Sequence, residues 1–227
     1  MKTVKPILAL GAITLMSVSV ASAAPVTPVG NTEDLPFGYF SGSATTLGAT
    51  VTRNGGLTLA LSAQIRGGET LANSGGVYSA PTGADGSGNA LWNFQFHIDN
   101  GSGSLNDYTY SLSYGKDASS LVSFDPLAIT DNGGPVGVGN SENLGFTFGS
   151  PFDPADGLLG AAIGFDPNAD ATYSFLLQAF DGNQNLVSKV AINVKAGRGG
   201  SVPDGGTSVA LLGMALTAGA ALRRKLA

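Results

Sequence analysis

Between residues 50 and 200 the chain alternates apolar and polar side chains with a period of two, the spacing of a strand with one buried face. Leu57, Leu59, Leu61, Ala63 and Ile65 point one way, while Thr58, Ser62, Gln64 and Arg66 point the other. Trp92, Phe94, Phe96 and Ile98 oppose Asn93, Gln95, His97 and Asp99 in the same manner. Tyr108, Tyr110, Leu112 and Tyr114 oppose Thr109, Ser111 and Ser113, and Val190, Ile192 and Val194 oppose Lys189, Asn193 and Lys195. Leu144-Gly145-Phe146-Thr147-Phe148 and Thr172-Tyr173-Ser174-Phe175 read as further strands. Breaks fall at Asn54-Gly55-Gly56, Asn100-Gly101, Asp131-Asn132-Gly133-Gly134 and Asp181-Gly182-Asn183, where Asn-Gly and Asp-Gly tolerate the positive φ of tight turns. The clearest hairpin joins Tyr173–Phe180 to Leu186–Val194 through Asp181–Asn185. No window between the termini keeps helical periodicity over three turns. The pattern predicts an all-β fold, two antiparallel sheets packed as a sandwich (Ig-like or jelly-roll) of about eight to ten strands. Gly67–Asn89, loaded with Gly, Ser and Ala, reads as a long loop or loose edge.

The two ends follow a different logic. Met1-Lys2-Thr3-Val4-Lys5 precedes an apolar run from Ile7 to Val20, and Ala21-Ser22-Ala23 closes it. A positive start, an apolar stretch and a small-x-small site, in that order, predict a signal peptide over residues 1–23, with Ala21 and Ala23 as its cleavage site and a mature chain that begins near Ala24. At the other end, Val202-Pro203-Asp204-Gly205-Gly206 leads into Thr207–Leu222, sixteen residues without a charge, followed by Arg223-Arg224-Lys225. Sixteen residues span about 24 Å as a helix, short of the ~30 Å hydrocarbon core, so this transmembrane segment would hold weakly. The basic cluster would stay cytoplasmic as a stop-transfer signal. A weak terminal anchor behind a small-residue site has the physical logic of a tail that is held and then discarded. The β-sandwich domain is thus expected over 24–201 and a sorting segment over 202–227.

Composition narrows the function classes. The 227 residues include no cysteine and one histidine, which excludes a disulfide framework, a thiolate nucleophile and a His-rich metal site. Without the two ends, the stretch 24–204 keeps all 16 acidic side chains but only six basic ones, a net charge of −10. Such a domain stays soluble and offers no basic footprint, which argues against nucleic acid as a partner.

The C-terminal elements resemble the sorting signal of PEP-CTERM proteins, in the variant form that begins Val202-Pro203-Asp204 in place of Pro-Glu-Pro. Gly205-Gly206 stands where a small-residue pair is expected. The resemblance implies an exosortase-type transpeptidase as the processing partner, transient membrane attachment, and export to the envelope, cell surface or extracellular space. It further implies a Gram-negative-type bacterium that makes exopolysaccharide, and hence an extracellular-matrix role. Asn140-Ser141-Glu142-Asn143-Leu144, Phe165-Asp166-Pro167-Asn168 and Ala179-Phe180-Asp181 also resemble the sandwich domain of many such proteins.

Candidate chemistry is sparse. Asp166, Asn168 and Asp170 carry the 1, 3, 5 oxygen spacing of a Ca²⁺ loop, but Ala171 and Leu177 occupy the positions that an EF-hand gives to Gly and Glu. The same residues suit a turn before the strand at Tyr173. Phe124-Asp125-Pro126, Phe152-Asp153-Pro154 and Phe165-Asp166-Pro167 recur at unequal spacing, each suited to a strand end fixed by Phe and a turn made by Asp and Pro. Asp153 with Asp156, or Asp125 with Asp131, are the carboxylate pairs that a secreted glycoside hydrolase would use. His97 has no G-x-S-x-G serine to serve and is expected to be an ordinary surface residue. Trp92 with Asn93 and Gln95, or Tyr108 with Tyr110, are rings available to a carbohydrate-binding module, Trp92 sharing its face with Phe94 and Phe96, and Tyr78 in the loose segment is a freer candidate. The expectation is an exported, non-catalytic surface or matrix protein of structural or adhesive role, with no cofactor beyond a Ca²⁺ at Asp166–Asp170. Glycan binding, to exopolysaccharide, and glycoside hydrolysis are the alternatives.

Overall fold

The computed structural model describes residues 25–35, 39–40, 46–117, 121–129, 132–133, 137–145 and 160–197. Among them run twelve strands: β1 (Asn31–Leu35), β2 (Thr46–Asn54), β3 (Leu57–Ile65), β4 (Asn73–Ser74), β5 (Val77–Ala80), β6 (Trp92–Asp99), β7 (Thr109–Lys116), β8 (Val122–Phe124), β9 (Asn132–Gly133), β10 (Gly137–Glu142), β11 (Ala171–Phe180) and β12 (Leu186–Ala196). They form two six-stranded sheets, ordered β1-β2-β3-β6-β10-β9 and β4-β5-β12-β11-β7-β8. All pairings are antiparallel except that of β12 with β5, which is parallel. The all-β two-sheet sandwich is therefore what the alternation predicts, with more strands. Two of the extra ones, β4 and β5, lie inside the Gly-rich stretch that reads as a loop. There Gly75 and Gly76, with φ of 59° and 81°, turn the chain so that β5 completes the edge of β12. Leu144 and Gly145 form a turn rather than a strand, since β10 stops at Glu142.

The inner faces meet in one aromatic-rich core. From the first sheet come Leu57, Leu59, Leu61, Trp92, Phe94, Phe96 and Ile98, and from the second Tyr114, Tyr173, Phe175, Leu177, Ile192 and Val194. Phe94 stacks on Phe175 with centroids 4.5 Å apart, and Trp92 lies 5.4 Å from Tyr173. Each such pair adds about 1 kcal/mol beyond the ~1.5–3 kcal/mol from burying a large apolar side chain. Ile65, expected on this face, is the exception: it ends β3 at the rim and stays 37% exposed.

The outer face of the first sheet departs from the predicted pattern. Ser62 and Gln95 are fully buried, and Asn93 and His97 are only 7% exposed, so β3 and β6 are covered on both sides. The covering comes from a second apolar cluster of Leu35, Phe40, Ala49, Val51 and Ala60, with Tyr39 packed against it. His97 is thus not a surface residue. Its ring sits 4.5 Å from that of Tyr39 and edge-on to Phe40, because Tyr39-Phe40 folds back over the row Val51, Ala60, His97, Gly139. A side chain at Gly139 would strike the Tyr39 carbonyl, which is why that position of the row is bare.

The loops share one device. In Asp85-Gly86-Ser87-Gly88-Asn89, Asp85 Oδ1 accepts from the N–H groups of Ser87 (2.8 Å) and Asn89 (3.0 Å). In Asp181-Gly182-Asn183-Gln184-Asn185, Asp181 Oδ1 accepts from Asn183 and Asn185, both at 2.9 Å. The backbone bonds match as well: residue five bonds to residue one, and residue four donates to the carbonyl of residue one. The fourth residue is left-handed in each loop, Gly88 at φ 84° and Gln184 at φ 63°. Hydrogen bonds from Asn185 hold the Asp181 carboxyl below its ordinary range. The Phe-Asp-Pro segments turn in a simpler version, with Asp125 Oδ1 accepting from Leu127 N and Asp166 Oδ1 from Asn168 N.

Two outcomes follow. Gly88 has open space around it, so Gly88→Ala meets only the left-handed penalty and should lower stability by about 1 kcal/mol in urea unfolding, whereas Gln184→Gly should not lower it. Burial holds the His97 imidazole down from 6.5 to about 4, against the opposing pull of Asp99 and a hydrogen bond to the Tyr39 backbone, with Arg53 adding slightly to the depression. The unfolded chain takes up that proton below pH 6.5 and the folded chain only near 4. Stability is then complete above pH 6.5 and falls as the pH drops toward 4, by up to roughly 3 kcal/mol. Urea unfolding across that range should show the decline in the native chain and a flatter profile in His97→Gln.

Candidate functional site

At one end of the sandwich β3 and β6 run past their last ladder pair, and Arg66 N donates to the Leu91 carbonyl at 2.9 Å. Leu91 N donates to Gly83, whose own N–H reaches the Pro167 carbonyl at 2.7 Å, tying the two sheets together. A cleft of about 840 Å³ opens here, lined by Ile65, Arg66, Gly67, Pro81, Asp85, Leu91 and Asn93. Its apolar surface comes from Ile65, Pro81 and Leu91. Its charge is an ion pair between Arg66 and Asp85. Partial desolvation pushes the Asp85 carboxyl up, but the N–H groups of Ser87 and Asn89 and the charge of Arg66 outweigh it and leave it below the ordinary range. With the Asn89 amide oriented to match its neighbours, its nitrogen donates to Gly145 O at 2.9 Å and its oxygen accepts from Arg66 Nη1 at 2.6 Å.

Behind the cleft lies a buried amide network built on Asn143. Its Oδ1 accepts from Ala90 N (3.0 Å) and Gly145 N (2.9 Å), and its Nδ2 reaches Ala90 O (2.9 Å), Trp92 O (2.8 Å) and Asn93 Oδ1 (2.9 Å). The side chain thereby does for Ala90 what a neighbouring strand would do, after β10 has ended. Asn93 Nδ2 and Gln64 Nε2 both reach Ser141 Oγ, at 3.1 and 3.3 Å, which extends the network across β3, β6 and β10. Nothing in the period-two pattern marks Arg66, Asp85, Asn89 and Asn143 as neighbours, because their meeting depends on strand order.

The structure separates the residues that the sequence offers for chemistry. Trp92 (2% exposed) and Tyr78 (0%) are core side chains and cannot stack on a sugar. Tyr78 is buried because β5 is a strand of the second sheet, and its Oη bridges to the first through Gly48 O (2.9 Å) and Thr50 Oγ1 (3.2 Å). Burial raises its pKa. Asp166 caps its own turn and its carbonyl accepts from Tyr173 Oη at 3.4 Å, while Asp170 lies beside Gly197. Among the described residues, no three His, Cys, Asp or Glu side chains converge as metal ligands. Asp125 caps a turn, whereas Asp131, Asp153 and Asp156 lie outside the described residues. The same holds for Ala21 and Ala23, for Val202, Pro203, Asp204, Gly205 and Gly206, for the apolar segment 207–222 and for Arg223, Arg224 and Lys225. No helix among the described residues is long and apolar enough to cross a membrane. Asn143→Ala should unfold at lower urea concentration, losing about 3 kcal/mol, since it strands buried backbone groups of Ala90 and Trp92.

No curated protein and no solved structure matches the chain. The family model described as the VPDSG-CTERM motif matches residues 201–226, where Gly205 takes the place of the motif's Ser. The chain thus carries at residues 201–226 a PEP-CTERM-like sorting motif of the VPDSG-CTERM type, which implies export to the cell surface and processing by an exosortase-type enzyme.

Proposed function

We propose that this protein is an exported surface or matrix component, released from a transient membrane hold by an exosortase-type transpeptidase, and that its sandwich has a structural or adhesive role without catalysis. The observation that carries the reading is the C-terminal motif at residues 201–226. The use of the acidic side chains supports the non-catalytic part. Eight aspartates accept backbone N–H groups, among them Asp34 from Gly48, Asp99 from Gly101, Asp107 from Ser104 and Asp117 from Thr172. Carboxylates fixed in this way set loop conformations; a general acid needs a carboxyl in the cleft with a raised pKa, whereas Asp85, the aspartate that lines this cleft, is held below its ordinary range. The chain's acidity is then a matter of loop building and of solubility outside the cell.

Glycan binding is the second reading, and the cleft beside Arg66 and Asn93 favours it over the buried rings of Trp92 and Tyr78. A hydrophobic floor under paired polar groups suits a neutral polyhydroxylated chain better than a charged polymer.

The test is a fusion of residues 202–227 to an exported reporter, in a host that has the sorting enzyme. The reporter should lose the mass of the tail and appear at the surface or in the medium; a reporter that stays uncut and membrane-bound removes the sorting reading. The processed protein should then co-sediment with the host's exopolysaccharide without shortening it. Saturable binding lost in Asn93→Ala would move the assignment to glycan recognition, and polysaccharide turnover would overturn the non-catalytic role.

A further inference from the structure

The outer face of the second sheet is wet along most of β11 and β12 but buried at one place. Leu176, Gln178, Lys189 and Lys195 stay partly or fully exposed, whereas Ser174, Ala191 and Asn193 on the same face are 3%, 0% and 6% exposed. The chain that precedes β1 lies at that place. Val29 exchanges both backbone bonds with Ala191, at 3.0 and 2.9 Å. Asn193 Nδ2 donates to the Val26 carbonyl at 2.8 Å, and the Val26 N–H reaches Ser174 Oγ at 3.3 Å. Ser174 Oγ in turn donates to Asn193 Oδ1 at 2.7 Å, which turns the amide nitrogen toward Val26. Gly76 leaves room for Pro28, whose Cβ would lie 2.7 Å from a Cβ at that position. A slot is thus built on β12 to receive an extended main chain, as in recognition by strand addition.

The segment that fills the slot is held less firmly than the slot is made. Pro25 and Thr27 are exposed, and Val26, Pro28 and Val29 are only half-buried. With the signal peptide expected to end at Ala23, the segment begins the mature chain, so it can leave and return without threading. Its attachment to the body is a single residue. Val29 belongs to the edge of the second sheet, Asn31 already pairs with Val51 in the first, and Gly30 between them stands at φ 132°. A Cβ there would fall 2.8 Å from Thr50 Cγ2 and 3.0 Å from the Val51 carbonyl oxygen. Short hinges under strain favour exchange of a terminal segment between copies, because the same bonds form on the partner while the hinge straightens.

We propose that residues 25–29 exchange between two copies of this chain, each copy seating its Val26 and Val29 on the Ser174, Ala191 and Asn193 slot of the other in a two-fold dimer. The proposal needs neither the sorting tail nor the cleft. It gives a surface or matrix component a way to join copies through a site that each already carries.

The chain has no cysteine, so a pair of introduced thiols reports on the slot directly. Val29 and Ala191 form a hydrogen-bonded antiparallel pair, whose Cα atoms stand about 5.5 Å apart, inside the range that a disulfide spans. The exported protein carrying Val29→Cys/Ala191→Cys is held reduced at about 10 µM or at about 1 mM, the latter near the effective concentration of a tethered segment, then oxidised and run without reductant. It should close within its own chain at the lower concentration and give a linked dimer at the higher one. A mixture of the two single variants should give the 29-to-191 pair in excess over either like pair. Gly30→Ala, which strains the closed hinge, should bring in the dimer at about tenfold lower concentration, and about four Gly/Ser residues inserted after Gly30 should suppress it. A double variant that closes only on itself at ~1 mM with either hinge overturns the proposal, as does a dimer of like pairs alone or one that the insertion leaves undiminished. Sedimentation of the native and Gly30→Ala proteins at the same concentrations reads the dimer without the cysteines, and monomers throughout would overturn the proposal as well.

Discussion

Strands β3 and β6 pair from Thr58 opposite Asp99 to Ile65 opposite Trp92, and nearly every residue of that ladder is buried on whichever face it takes. The rest of the molecule is arranged around this doubly covered pair. Its inner face supplies Trp92, Phe94 and Phe96 to the aromatic core, and the second sheet covers it. Its outer face carries Ala60, Ser62, Gln95 and His97, which need their own cover from Tyr39, Phe40 and the small residues of β2. A pair of central strands buried on both sides gives up the freedom of a wet face. In exchange, its register becomes hard to slip, because a shift by one residue would drive Phe94 and Trp92 outward and Gln95 and His97 into the aromatic layer.

Buried backbone groups at the strand ends and edges are met by side-chain amides. Asn143 closes the open end of β6 once β10 has stopped, and Asn193 does a related task at the opposite edge. There its Nδ2 donates to Val26 O at 2.8 Å, and its Oδ1 accepts from Ser174 Oγ at 2.7 Å. Val29 exchanges both backbone bonds with Ala191, so the chain just before β1 continues the edge of β12 that β5 leaves uncovered. Edges closed by short local segments, with amides completing the bonds, keep a long strand such as β12 from offering a free template to other chains. The aspartates act one level out, on the loops. The D-G-x-x-N unit appears in both sheets' connections and needs only its own five residues to close.

These features converge at the end of the sandwich where β12 stops. The first D-G-x-x-N loop holds Asp85 against Arg66, Gly83 accepts from Leu91 N and donates to the Pro167 carbonyl, and Gly197 follows β12 beside Thr82 and Asp170. The cleft and the end of β12 share one small region.

The sequence by itself determined the fold class, the inward faces of β3, β6, β7 and β12, the Asp181 hairpin, and the sorting signal. Each of these is written in local order: a period of two, a turn residue that tolerates positive φ, or three elements in fixed succession at the end of the chain. Only the tertiary structure decided the rest. Tyr78 lies in a Gly-rich stretch that carries no strand signal of its own, and it is buried because β12 supplies the partner for β5. His97 alternates correctly to the polar side of β6, and that side is covered by Tyr39 and Phe40 from a segment more than fifty residues away. Trp92 was legible as core for the opposite reason, since its neighbours at i+2 and i+4 already shared its face. The Asn143 network and the Arg66–Asp85–Asn89 group join residues brought together by strand order, and strand order depends on long-range packing that no local period encodes.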